Sequence, residues 1–194
     1  MKARAGAARA PSPAERPLRL LPERALQERF SQSLASHAGL DGAHCVHEMW
    51  MRGAYVAQVE AALGALWQAA AASIPEWLPM RYVEWLPAVY EIAATFSAPR
   101  RGRSNLYLVL LDYEDRRRGP YGVYVGMSGY PPAQRFDQHK AGIRAAGSVL
   151  KRGLEVLTGP TLHLQRIPRA DAARIEAGLA AALADAGLLV EGGH

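Results

Sequence analysis

The chain has one cysteine, Cys45, so no intrachain disulfide can staple it, and the cytoplasm is the expected compartment. No apolar stretch reaches membrane-spanning length without a polar interruption, which excludes a hydropathic membrane anchor. Residues 1 to about 20 are rich in Ala, Arg and Pro and lack the apolar centre of a signal peptide; they read as a disordered basic arm. The glycines of Gly126-Met127-Ser128-Gly129 and Gly142 lack both a Walker-type lysine and the strand-to-helix spacing of a nucleotide loop. Acidic residues are in deficit, 18 against 23 Lys and Arg, which makes the chain +5 overall.

What is present supports a folded protein: 194 residues, 49% hydrophobic, enough for a real core. Over residues 21–98 the apolar spacing is helical. Leu26, Phe30 and Leu34 fall every fourth residue, and Val56, Val59, Leu63, Leu66 and Ala70 alternate threes and fours. Glu76-Trp77-Leu78-Pro79 is echoed by Glu84-Trp85-Leu86-Pro87, and eight residues is too short a period for a solenoid. The two tryptophans read either as anchors of irregular chain or as a surface for a protein partner or homodimer. His37, His44, Cys45 and His47 match no common zinc spacing, and adjacent His44 and Cys45 would have to diverge to share one ion.

Asn105-Leu106-Tyr107-Leu108-Val109-Leu110-Leu111-Asp112 is a β-favouring run bounded by polar residues, and Gly122-Val123-Tyr124-Val125-Gly126-Met127 is a second. The charged, Gly-Pro-containing stretch between them reads as a long hairpin loop. Alternation turns Tyr107 away from its leucine neighbours and Tyr124 away from its valines, so the two phenols can share one side. A helix is expected from Pro132 to Ala145 with Phe136 and Ile143 on its buried face. On it Arg135 and His139 stand one turn apart, a fork-shaped cation beside a group that titrates near neutrality. Such a pair suits attack on a phosphodiester. In a later helix Ile175, Leu179 and Leu183 form the core row, with Glu176 about 100° round at its border.

Taken in order, Asn105-Leu106-Tyr107, Tyr124-Val125-Gly126, Ser128, Arg135-Phe136-Asp137-Gln138-His139 and Glu176 resemble the motif series of the GIY-YIG nuclease superfamily, over roughly residues 105–190. Asn105 stands where the first motif has Gly, Ser128 where the family often has Thr, and the polar residue often found after the Glu helix is missing. The resemblance implies an α+β fold: a small three-stranded antiparallel sheet flanked by helices over 104–190, preceded here by the helical region. It also implies metal-dependent hydrolysis of DNA, a chemistry with which RNA is compatible. Glu176 would hold Mg²⁺ or Mn²⁺, Arg135 would clamp the phosphate, and Tyr107, Tyr124 and His139 would arrange nucleophile and protons. One carboxylate suffices for such a cation, because waters and substrate oxygens complete its shell. Whether Tyr107 or His139 takes the proton is open at this level.

The charge distribution agrees with a polyanionic partner. Residues 100–152 carry 11 Lys or Arg and 4 Asp or Glu, a local +7. Arg101, Arg103, Arg116, Arg117, Arg118, Lys140, Arg144, Lys151 and Arg152, with Ser128, are the expected nucleic-acid contacts. Two other readings use the same residues: a binding module that keeps the nuclease fold without turnover, and a helical interaction protein acting through Trp77 and Trp85.

Overall fold

A computed structural model describes residues 12–114 and 120–193. Arg116, Arg117, Arg118 and residues 1–11 of the expected basic arm lie outside the described residues; from residue 12 the arm is ordered instead, because Leu18 is buried in the core and Arg16 pairs with buried Glu48. Helices α1 (Glu23–Ala35), α2 (Gly39–Met51), α3 (Val56–Ala70) and α4 (Leu86–Ala94) form the amino-terminal half. Strands β1 (Asn105–Asp112) and β2 (Tyr121–Ser128) follow, then α5 (Pro132–Lys140), α6 (Gly147–Arg152), β3 (Gly153–Val156), α7 (Arg169–Asp185) and β4 (Val190–Gly192). The architecture is α+β. No helix among the described residues is long and apolar enough to cross a membrane.

The expected sheet of three antiparallel strands is corrected to four mixed strands in the order β3-β1-β2-β4. β1 pairs antiparallel with β2 from Asn105↔Ser128 to Asp112↔Tyr121, and β3 lies antiparallel on the other side of β1. β4 runs parallel to β2, Val123 facing Val190. The reason lies after α7: Gly187 adopts φ 90°, which favours glycine, and the returning chain covers the edge amides that β2 would otherwise leave unpaired.

Both faces of β1 are buried, which explains its nearly unbroken apolar run. One face, with Leu106, Leu108, Leu110, Val123 and Val125, meets Ile175, Leu179 and Leu183 of α7 and the helical half. The buried core there is continuous from Leu18 to Leu183, and it includes Leu26, Trp50, Val59, Leu66 and Val89. Leu26 and Phe30 take their expected inward places, whereas Val56, at the start of α3, is 47% exposed. On the opposite face Tyr107, Val109 and Leu111 pack with Val149 of α6 and Phe136 of α5.

α5 stops at Lys140, five residues before the expected end. Gly142 (φ 77°) and Arg144 (φ 46°) take left-handed conformations that no α-helix contains. Ile143, expected on the buried face, is therefore 56% exposed, and His139 fills the inward position at the end of the helix.

Candidate active site

Tyr107 stands directly opposite Gly126 in the β1–β2 register. A Cβ at 126 would come within 2.7 Å of the Tyr107 Cζ and hydroxyl and 2.6 Å of the Tyr124 ring, so the glycine of Tyr124-Val125-Gly126 makes the space that the first phenol occupies. The two tyrosine rings lie 6.0 Å apart between centroids. His139, buried at the end of α5, closes the group at 6.1 Å from the Tyr107 ring and 5.9 Å from the Tyr124 ring.

The polar contacts define where the protons are. His139 Nε2 is 2.9 Å from the Tyr107 hydroxyl, and His139 Nδ1 accepts the backbone N–H of Ala146 at 2.9 Å. A nitrogen that accepts an amide proton cannot carry its own, so the proton of the neutral ring sits on Nε2 and is donated to the Tyr107 oxygen. Burial, helped by Arg135, holds the His139 pKa down to about 4, and the imidazole is neutral at pH 7. Burial also raises Tyr107 well above the ordinary tyrosine value; Tyr124 adds to this and Arg135 opposes it. Tyr124 is raised by burial as well, with its hydrogen-bonding interaction with Tyr107 working against the rise and the charge of Glu176 adding to it.

Glu176 arrives from the other layer. α7 packs on the face opposite the phenols, yet Glu176 Oε1 accepts the Met127 N–H at 3.0 Å. Val125 O accepts from Gly193 on the β4 side, and strand geometry points the Met127 amide the same way. Glu176 thus reaches the outer edge of β2 just past β4, close enough to be felt electrostatically at Tyr124. Its residue is 7% exposed. Among the described residues no three His, Cys, Asp or Glu come together. A lone hard-oxygen carboxylate fits a largely hydrated Mg²⁺ or Mn²⁺ and does not fit zinc. His44 and His47 instead pack against Trp77, the first tilted and the second edge-on, and His37 Nδ1 bonds the Ala69 carbonyl at 2.6 Å.

Arg135 is held rather than loose. Nη1 donates to Gln138 Oε1 at 3.1 Å and to the Ile143 carbonyl at 3.2 Å, and Nη2 donates to the Arg144 carbonyl at 2.8 Å. It lines a cleft of about 690 Å³ together with Arg103, Arg144, Arg169, Ser128 and Tyr130. Among the described residues no carboxylate lines this cleft. Arg103, Arg144 and Arg169 are all exposed.

The remaining expected contacts divide. Lys140 is engaged internally, its Nζ donating to the Leu150 and Gly153 carbonyls at 3.2 and 3.1 Å. Lys151 and Arg152 line a separate cleft of about 340 Å³ with Asp112 and Glu114, and Arg152 lies 4.5 Å over the Tyr113 ring. Arg101 is exposed and belongs to neither cleft. Two contributors were not found from sequence. Arg169 reaches the cleft because Ser104 bridges to Ile167, a long-range pairing with no local signature. The Ala146 amide has no side-chain signal at all.

No family model, no curated protein and no solved structure matches this chain.

Proposed function

We propose that the chain is a metal-dependent endonuclease of GIY-YIG type that hydrolyses phosphodiester bonds in DNA. The observation that carries this reading is an arginine-walled cleft, with no carboxylate among its described lining residues, that shares Arg135 with a hydrogen-bonded Tyr107–His139 pair. Like charges converging on one cavity favour a polyanion, and a phosphodiester backbone supplies regularly spaced negative charge.

In this reading His139 is not the base, because its lone pair is taken by Ala146 and its proton already faces the phenol. Tyr107 first loses its proton to solvent, its phenolate being stabilised by His139 Nε2–H and the Arg135 guanidinium; the phenolate orients the attacking water, takes its proton and returns to the neutral phenol. Tyr124 couples Tyr107 to the edge where Glu176 stands. Glu176 would hold the divalent cation, which when bound supplies charge neutralisation at phosphate oxygens and a more acidic water. Arg135, fixed by the Ile143 and Arg144 carbonyls, presents its remaining N–H groups to the phosphate.

The test is incubation of labelled single- and double-stranded DNA and RNA with Mg²⁺, Mn²⁺ or chelator. Wild type should cut DNA only with an ion present, and Glu176→Gln and Tyr107→Phe should each lower the rate by at least a hundredfold while still binding. Cleavage by Glu176→Gln at the wild-type rate removes the assignment. A second reading, a binding module without turnover, draws support from Tyr107 and His139 being only 1% exposed. Salt-sensitive DNA binding with no ion-dependent cutting would establish it.

A further inference from the structure

The aromatic segment that the nuclease reading leaves unused builds a second site of opposite electrical sign. Trp50 is buried and donates Nε1–H to the Val83 carbonyl at 3.0 Å, fixing the chain between the two Trp-Leu-Pro motifs. Tyr82 stacks on Trp50 with centroids 5.1 Å apart and ring planes 16° from parallel. Beside it, Trp85, Tyr121, Glu60 and Glu84 enclose a cleft of about 350 Å³, with Val56 at its rim. Next to Val56, Tyr55 is 86% exposed.

Glu60 and Glu84 are both exposed, and neither forms an ion pair with a described residue. They come from different elements, α3 and the segment before α4. Their charge converges on the phenol of Tyr82, whose pKa is raised by burial and by both carboxylates. A cleft lined by aromatic rings and two carboxylates is the complement of a guanidinium or ammonium group, which gains from ring faces and anions together. The volume holds one long basic side chain and little more.

Its position matters. Tyr121 lines this cleft and Ser128 lines the arginine cleft, at opposite ends of β2. At about 3.3 Å per residue the two lie about 23 Å apart, beyond the screening length of about 8 Å at physiological salt. A cation at one end is therefore compatible with a polyanion at the other.

We infer that the Tyr82–Trp85–Tyr121 cleft, with Glu60 and Glu84, is a docking site for an Arg- or Lys-bearing segment of a partner protein. The site commits to a peptide because the cleft is rimmed by further exposed aromatic and apolar surface, Tyr55 and Val56, which a bare cation would leave uncovered. This inference is independent of the nuclease reading.

The experiment is a titration of the whole ¹⁵N-labelled protein with a capped Gly-Ser-Arg-Lys-Ser-Arg-Lys-Ser-Gly peptide. Parallel titrations use a peptide with Gln for every Arg and Lys, and arginine amide alone. The indole N–H signal of Trp85, assigned by its loss in Trp85→Phe, should move on addition of the basic peptide, while those of Trp67 and Trp77 stay. The Gln peptide should leave it still, and arginine amide should bind at least tenfold more weakly than the basic peptide. Glu60→Gln/Glu84→Gln should weaken peptide binding at least tenfold with an unchanged melting temperature; Arg103→Gln/Arg169→Gln should not alter it. The inference is overturned by no Trp85 shift at millimolar peptide, equal shifts with the Gln peptide, arginine amide binding as tightly as the basic peptide, or wild-type affinity in the double Glu variant. Concentration-dependent dimerisation that Trp85→Phe abolishes would assign the cleft to a second copy of the chain and overturn it equally.

Discussion

Acid should undo this protein through a histidine far from the candidate active site. His47 is 1% exposed, wedged edge-on between Trp77 at 5.8 Å and Tyr90 at 4.9 Å, and its Nε2 has no hydrogen-bond partner among the described residues. Burial first, and then neighbouring His44, lower its pKa from 6.5 to about 4. Because the folded value lies below the unfolded one, the unfolded chain binds the proton first. Folding therefore carries no penalty from this group above pH 6.5, begins to lose stability below it, and reaches the full loss once the pH falls through about 4. At about 1.4 kcal/mol per pH unit, the loss is about 2 kcal/mol at pH 5 and about 3 kcal/mol at pH 4, of a typical total of about 5–15 kcal/mol. His47→Phe keeps a ring between the same neighbours and removes the titration. Urea unfolding of both proteins, followed by tryptophan fluorescence at about pH 7, 5 and 4, reads the effect, since His139 contributes equally to each and His44 differs only through its smaller charge interaction with His47. The two stability curves should diverge by about 3 kcal/mol across that window. Parallel curves would refute the reasoning, because a His47 that stays solvated in the folded state cannot generate the difference.

Gly126→Ala should destabilise the fold by about 1–3 kcal/mol and cut the proposed nuclease activity further than the stability loss explains, since the new methyl displaces Tyr107 from His139. A urea midpoint indistinguishable from wild type counts against the close approach. Arg103→Gln/Arg169→Gln should weaken DNA binding and lower the slope of log affinity against log salt by about 2 on duplex, one phosphate contact each. An unchanged slope places the nucleic acid elsewhere.

The strand pair was legible because residues buried on both faces leave an apolar run, and Leu106 to Leu111 is such a run. Alternation alone put Tyr107 and Tyr124 on one side, and the row of Ile175, Leu179 and Leu183 put Glu176 at its border. The early stop of α5 was hidden because apolar spacing continues to Ile143 while the break comes from backbone conformations at Gly142 and Arg144, which composition signals only weakly. β4 was hidden for a different reason. Three residues, Val190 to Gly192, are too few to show a period, and the strand exists because β2 offers an open edge. The tethering of Arg135 was equally out of reach: its acceptors are carbonyls eight and nine residues on, and any residue type carries those.

The turn after α5 governs more than where a helix ends. Its backbone amide at Ala146 decides which imidazole nitrogen is bare, and so decides the direction in which the histidine and the phenol speak to each other. A loop with no reactive side chain in that bond thus acts as the selector of the site's acid–base polarity. Replacement of Gly142, which alters how the chain bends, should therefore disturb that polarity while every residue of the phenol, imidazole and carboxylate set stays in place.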